Sequence, residues 1–223
     1  MKTATLDRSM EQAPATSVAG KAAPKPTVTS VKKTAVLVGL CFLTATFTVA
    51  IGNALIRSHF SSATAHDATL VAGVFLLGCC ELVVAANGVA MRRTLATCTP
   101  IRSQAYFVLR VTECLTLVAV AMYFLTIHAR WDAYALAVYV MSGAAGLVLS
   151  SALLTSRIVP RNLFMLGLIG YPVFLVGSIM AMFDVIDVTR GAGMIALVPG
   201  GLFELMLPIW LFTKGFTSHE AGG

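Results

Sequence analysis

Residues 104–126 read QAYFVLRVTECLTLVAVAMYFLT, an apolar run that is interrupted by the charged side chains Arg110 and Glu113. A helix of ~20 residues, rising ~1.5 Å per residue, crosses the ~30 Å hydrocarbon core of a bilayer. On insertion scales the apolar residues of this run contribute roughly 3–6 kcal/mol, whereas the two charges cost about 5–7 kcal/mol. The run is therefore predicted to be a transmembrane helix that needs neighbouring helices to satisfy its charges.

Further runs of the same kind indicate a polytopic membrane protein. Of the 223 residues, 57% are hydrophobic and 12% are charged, whereas a soluble domain has ~25% charged residues. Hydropathy places six spans at roughly 35–56, 68–91, 104–126, 133–155, 161–183 and 194–213. Their short links favour antiparallel neighbours, so the predicted fold is all-α, a six-helix up-and-down transmembrane bundle.

The bundle is predicted to form one domain at residues 34–214. The preceding segment is rich in Ala, Pro, Thr, Ser and Lys, and such a composition cannot bury enough apolar surface to become ordered. Residues 1–33 are therefore expected to be a disordered cytoplasmic tail, and residues 215–223 a short second tail.

The net charge of +6 is explained by the placement of Lys and Arg residues relative to the membrane. With the N-terminus inside, most Lys and Arg residues fall in inner segments, and this bias sets orientation. We expect a multi-pass protein of the cytoplasmic membrane, with both termini cytoplasmic and the lipid bilayer as its partner. No nucleic-acid partner is expected.

Histidines in the predicted outer loops are candidates for a metal site. His59, His66 and His128 lie there with several aspartates, but no pair shows a helical ligand spacing such as His-x-x-x-His. They are expected to be hydrated loop residues, so neither a metal nor a cofactor is predicted.

Four charged side chains at membrane depth form the candidate site. Measured from the inner ends of the spans at ~1.5 Å per residue, Glu81, Glu113 and Glu204 lie about 14–15 Å deep, and Arg110 about 9 Å. Tyr106 extends the face of Arg110 and Glu113. Three acids and one base leave excess negative charge, so at least one carboxyl group is expected to be protonated at pH 7.

Two helices carry small or helix-breaking residues. In the fourth span, Ser142, Gly146 and Ser150 form a small-residue face that either packs inside the bundle or forms a homodimer through the fourth helix. In the sixth span, Pro199-Gly200-Gly201 precedes Glu204. A break at this proline either opens a pocket at the carboxylate or is a tolerated irregularity.

The C-terminal half resembles a known family. The segments SRIVPR at 156–161, PGGLFEL at 199–205 and WLFTKG at 210–215, with Gly170-Tyr171, resemble domain-of-unknown-function family 4386, a widespread bacterial family of multi-helix membrane proteins. Arg110 and Glu113 match an arginine followed by an acid in the family's third helix. Over about residues 35–215, the resemblance implies a six-helix fold and a shared network of Arg110, Glu113 and Glu204. It implies no activity.

Several functions are compatible with this pattern. The leading hypothesis is binding or transport of a small amphipathic or cationic molecule in a midplane pocket lined by Glu81, Glu113, Glu204, Tyr106 and Arg110. One alternative is a membrane-embedded enzyme of cyclase or isomerase type, in which one of the three glutamates is the acid acting on a lipid or isoprenoid. A second alternative is a structural or regulatory subunit, in which Arg110 satisfies two glutamates and ties three helices together.

Overall fold

The fold is described from a computed structural model, in which residues 28–61, 66–127, 134–186 and 191–216 are described. This part of the chain is entirely helical. It consists of α1 (Val28–Ser61), α2 (Asp67–Leu95), α3 (Pro100–Ile127), α4 (Tyr134–Ser156), α5 (Arg161–Met182), a 3-10 helix (Gly191–Leu197) and α6 (Val198–Thr213). Six candidate spans in it are long and apolar enough to cross a membrane. The predicted all-α six-helix fold is confirmed.

The helices form a closed up-and-down ring. Each packs against its neighbour in sequence, and α1 also packs against α6. The ring therefore has two ends, which we name by the residues found there. The terminal end holds the start of α1 and the end of α6, around Ala35 and Leu211, and the distal end holds the α1–α2 link, around Ile56 and Leu70.

An apolar cluster fills each end of the ring. At the terminal end, all six α-helices contribute buried residues that include Val38, Leu95 and Leu149. At the distal end, α1 to α4 contribute Ile56, Leu117 and other buried side chains. Because helix association in lipid depends on close packing, these clusters set the spacing of the helices around the space between them.

Helix α1 begins earlier than the sequence indicated. It starts at Val28, whereas the predicted bundle begins at residue 34. Polar helix formers such as Lys32 and Lys33 can extend an apolar helix beyond the hydrocarbon region, since lysine has high helix propensity. Residues 1–27, the rest of the predicted tail, lie outside the described residues.

The interruption predicted in the sixth span lies elsewhere. Helix α6 begins at Val198, with Pro199 in its first turn, and the seven residues before it form the 3-10 helix. Proline suits the first turn because its missing N–H group would have no partner there. Pro199 therefore starts the α-helix that carries Glu204, and does not break it.

The small-residue face of α4 packs inside the ring. A Cβ atom at Gly146 would overlap the ring of Tyr171, and a Cβ atom at Gly167 would overlap the hydroxyl of Ser150. Ser142 contacts Arg110. The sequence left this internal role open alongside dimerisation, so a homodimer through α4 stays a prediction that would need another face of the helix.

Candidate functional site

A cavity of about 230 Å³ lies in the middle of the ring, between the two apolar clusters. Each of the six α-helices contributes to its lining. The sequence-predicted residues Glu81, Arg110, Glu113 and Glu204 all line it, and Tyr106 is buried beside it, in contact with Arg110. The tertiary structure thus brings the four charged side chains to one space, although they come from three different helices.

Arg110 is the centre of a polar cluster on α3. Its Nη1 atom donates to Glu113 Oε2 at 2.6 Å and to the Ser142 hydroxyl at 3.4 Å, and its Nε atom donates to the Tyr106 hydroxyl at 3.1 Å. Arg110 and Glu113 are 4% and 3% exposed. Spacings of three and four residues put these groups on one helix face, so the arginine is satisfied largely by its own helix. We call Tyr106, Arg110, Glu113 and Ser142 the arginine cluster.

Glycine on α2 makes room for this arginine. A Cβ atom at Gly88 would lie 3.2 Å from the Cβ atom of Arg110, which is tighter than ordinary van der Waals contact. The small residue therefore lets α2 approach α3 at the depth of the charge, as small residues do between membrane helices.

The polar groups of α2 differ from the arginine cluster, because two of their oxygens lack hydrogen-bond partners among the described residues. Glu81 and Asn87 are 3% and 4% exposed and both line the cavity. Neither Glu81 Oε2 nor Asn87 Oδ1 has a hydrogen-bond partner in the described structure, although Asn87 Nδ2 donates to the Tyr106 hydroxyl at 3.4 Å. We call Glu81 and Asn87 the acceptor pair. Buried polar atoms are normally paired, so this pair is where a bound donor would be satisfied.

Glu204 has a third kind of environment. Its Oε1 atom accepts a hydrogen bond of 3.3 Å from the Tyr171 hydroxyl on α5, and Thr46 on α1 lines the same cavity. Its side chain is only partly buried. Among the described residues, Arg110 forms its ion pair with Glu113 and with neither of the other two glutamates, which the sequence could not distinguish.

Close backbone contact positions Glu204 and Tyr171. A Cβ atom at Gly170 would lie 2.7 Å from the carbonyl carbon of Pro199, so the start of α6 sits directly against α5. Tyr171, next to Gly170, then reaches into the ring over the space left by Gly146. The Gly170-Tyr171 pair and the PGGLFEL segment thus contact each other in space.

Apolar and aromatic side chains form the rest of the wall. Tyr139 on α4 and Phe174 on α5 both line the cavity, with their ring centroids 5.6 Å apart. Such rings bind apolar chains and also attract cations to their faces. The cavity therefore combines a carboxylate-rich interior with an apolar wall.

Some site residues were missed in the sequence. Asn87 is an amide within an apolar span, and its polarity there could have identified it. Thr46 gives no comparable signal, because a threonine in a membrane helix usually bonds its own backbone. Thr46 does so here, through the carbonyl of Phe42.

In the described part of the chain, no group of three or more His, Cys, Asp or Glu side chains is arranged so that it could hold a metal ion. His59 Nδ1 lies 3.3 Å from the carbonyl oxygen of His66, a contact within the α1–α2 link. His128 lies outside the described residues.

The comparison with known proteins found a match that covers the site residues in the C-terminal half of the chain. Residues 116–215 match a family model described as a domain of unknown function, DUF4386. The matched segment includes Ser142, Tyr171 and Glu204, whereas Glu81, Arg110 and Glu113 precede it. The predicted resemblance is confirmed over these residues. No curated protein and no solved structure is significantly similar to the chain.

The arrangement thus joins a DUF4386 segment to the first three helices across one cavity. Three carboxyl groups face one guanidinium group, and Glu113 already pairs with that guanidinium. The remaining acceptors on Glu81, Asn87 and Glu204 suit a ligand that donates hydrogen bonds or carries positive charge.

Proposed function

We propose that the protein binds a small amphipathic molecule with a cationic head group in the cavity of the ring. The proposal depends on the acceptor pair, Glu81 and Asn87. Both residues are buried and line the cavity, and each has an oxygen without a hydrogen-bond partner among the described residues. A buried acceptor left unsatisfied costs about 1–3 kcal/mol. A bound ammonium group would remove that cost.

Charge supports a cation over an anion. Arg110 is occupied by Glu113, Tyr106 and Ser142, so it has little capacity to attract an anionic head group. An ammonium group has three donors and no acceptor, which matches the acceptor pair. The terminal torsion of a glutamate is broad and two-fold, so Glu81 can turn either oxygen toward a ligand.

Size and wall chemistry limit the rest of the ligand. The cavity of about 230 Å³ is smaller than the ~300–1,000 Å³ of pockets for drug-sized ligands. Tyr139 and Phe174 provide an aromatic wall next to the acids. A primary amine with a short alkyl chain fits both properties.

The test is binding of octylammonium to the full-length protein in lipid nanodiscs, with octanol and octanoate as probes of the same length. We expect octylammonium to bind and the other two to bind at least about 10-fold more weakly, because a hydrogen bond to a charged group is worth ~1.5–3 kcal/mol. Equal binding of the three probes would contradict a charge-selective site.

A matched pair of variants assigns the selectivity to α2. Glu81→Gln keeps the shape of the side chain and removes its charge, so octylammonium affinity should fall by about 10-fold or more. Thr112→Val, at an exposed position on α3 whose hydroxyl bonds only the carbonyl of Val108, should bind like the wild type. Unchanged affinity in Glu81→Gln would rule out the acceptor pair as the head-group site.

A membrane enzyme is the second candidate, and Glu204 favours it. This carboxyl group is partly exposed and accepts a hydrogen bond from Tyr171, which is an arrangement that can position an acid beside an apolar substrate. Incubation with short isoprenoid alcohols and diphosphates should then give a product that Glu204→Gln does not form. A regulatory role of the N-terminal tail stays a prediction, because residues 1–27 lie outside the described structure.

The distribution of basic residues supports an orientation. The terminal end carries many cationic side chains, whereas Arg57 lies near the distal end of α1. Those at the terminal end are Lys32, Lys33, Arg92, Arg93, Arg102, Arg157, Arg161 and Lys214. By the positive-inside rule, we propose that the terminal end faces the cytoplasm of a bacterial cell, with both chain termini on that side of the plasma membrane.

A further inference from the structure

The cavity is closed toward both ends of the ring. Toward the terminal end, Phe203 and Tyr106 are fully buried within the terminal cluster. Toward the distal end, Val138 lines the cavity and also belongs to the distal cluster, together with Leu77 and Leu117. Protein interiors are close-packed, so these layers leave no continuous path along the axis of the ring through the described clusters.

The side of the ring between α1 and α6 differs from these two closed ends. Near the terminal end these helices touch, since a Cβ atom at Gly39 would lie 2.8 Å from the ring of Phe212. Farther from that end, the cavity is lined by Ala45, Thr46 and Val49 on α1 and by Gly200 and Gly201 on α6. The two α6 residues have no side chain, so α6 adds no side-chain bulk to this part of the wall.

Gly201 shows that the cavity reaches the surface here. This glycine lines the cavity and is also exposed, and a Cβ atom built on it would meet no atom within 4 Å. It lies within the span Gly193–Thr213, at the depth of the hydrocarbon core and not at an aqueous loop. The opening between Ala45, Thr46, Gly200 and Gly201 is here called the mouth.

We propose that the mouth is a lateral portal, through which the amphipathic ligand of the proposed function passes between the bilayer and the cavity. The proposal rests on that function for the chemistry of the ligand, and on the position of Gly201 for the route. A molecule with an apolar chain concentrates in the bilayer, so a lateral path meets it where it already resides.

Glu204 gives the portal a polar side. It is partly buried and lines the cavity one helical turn after Gly200 and Gly201, and Thr46 on α1 lines the same cavity. An ammonium group leaving the head-group region needs a polar partner at hydrocarbon depth, because an unpaired charge there is costly. Glu204 is the first such partner at the mouth, and Glu81 on α2 is a second one inside the cavity.

Chemical labelling of Glu81 tests the route without requiring a known ligand. Dicyclohexylcarbodiimide is apolar and adds to a carboxylic acid to give a stable N-acylurea, with no leaving group and no further reactant. The full-length protein in nanodiscs would be treated with it, and the labelling rate at Glu81 and Glu204 followed by peptide mass spectrometry. We expect both residues to be labelled, and faster than by a water-soluble carbodiimide.

Two glycine variants form the matched comparison. Gly201→Leu places a side chain in the mouth and should slow the labelling of Glu81 by at least about 10-fold, which corresponds to ~1.4 kcal/mol in the barrier. Gly78→Leu, at a glycine on α2 that also has no atom within 4 Å of a Cβ and does not line the cavity, should label like the wild type. Gly201→Ala should give an intermediate rate and serves as the variant least disturbing to folding.

Each outcome is decisive for the portal. Wild-type labelling of Glu81 in both Gly201 variants would overturn it, as would a wild type in which Glu204 reacts and Glu81 does not, or in which the water-soluble reagent is faster. If labelling depends on Gly201 but octylammonium does not bind, the portal stands and the proposed ligand class fails. The two proposals are therefore separately falsifiable.

Discussion

The two polar groups that meet in the cavity, the arginine cluster on α3 and the acceptor pair on α2, differ in how well they are satisfied. Arg110 has three partners within hydrogen-bonding distance, of which two lie on its own helix. Glu81 and Asn87 are equally buried, yet each has an oxygen without a partner among the described residues. In the same ring, the charge of one group is paired and the other group keeps acceptors that are not.

This difference separates a structural role from a binding role. A buried, hydrogen-bonded ion pair contributes to the arrangement of helices, and removing one partner is strongly destabilising. A buried acceptor without a partner lowers the stability of the folded protein. Such an acceptor is explained when a ligand supplies the missing donor. We therefore expect the two groups to respond in opposite directions to the removal of a polar side chain.

The largest expected effect is that of Arg110→Met. It leaves the carboxylate of Glu113 buried without its partner, so the free energy of unfolding in detergent should fall by about 3–5 kcal/mol. The double variant Arg110→Met/Glu113→Met removes both charges and should recover most of the loss. As a control, Arg102→Met removes an exposed arginine that bonds Ser151 and Thr155, and should cost less than ~1 kcal/mol. A double variant as unstable as the single one would contradict the structural role of the ion pair.

Tyr106→Phe tests the connection between the two groups. The Tyr106 hydroxyl accepts from Arg110 Nε and from Asn87 Nδ2, so its removal leaves two buried donors without an acceptor. The free energy of unfolding should fall by about 1–3 kcal/mol. Tyr123→Phe, on the same helix outside the cavity lining, is the comparison variant. Equal stability of Tyr106→Phe and wild type would show that neither bond contributes.

The smallest effect, with the opposite sign, is expected for Glu81→Leu. This substitution removes the unpaired oxygen and keeps a side chain of similar size, so stability without ligand should rise by about 1 kcal/mol. The same denaturation measurement is used, and octylammonium should no longer raise the melting temperature of this variant. A clear loss of stability would mean that Glu81 is satisfied in the ligand-free protein, and the contrast between α2 and α3 would fail.

Much of the site is readable in the sequence because membrane insertion is a local property. A charged residue in a span of ~20 apolar residues is conspicuous on any insertion scale, so Glu81, Arg110, Glu113 and Glu204 stand out individually. Their similar depth follows from counting residues along each span. Depth does not specify direction around a helix axis, so which carboxylate pairs with the arginine was not predictable.

The regions where sequence and structure disagree have local explanations. Pro199 was expected either to break the sixth helix or to be a tolerated irregularity in it, and instead it lies in the first turn of α6 after a 3-10 segment, because proline is compatible with a helix start as well as with a kink. The start of α1 at Val28 was obscured by the polar residues that precede the apolar run.

The sequence by itself determined the number of spans, their antiparallel order and the depth of the charges, because each depends on residues close together along the chain. Only the tertiary structure decided that α1 closes the ring on α6, that Arg110 pairs with Glu113 while Glu81 keeps an unpaired oxygen, and that Gly201 lies at a mouth. These features depend on how each helix is rotated about its own axis. That rotation is set by contacts such as Gly146 with Tyr171 and Gly170 with Pro199, which join residues distant in the chain.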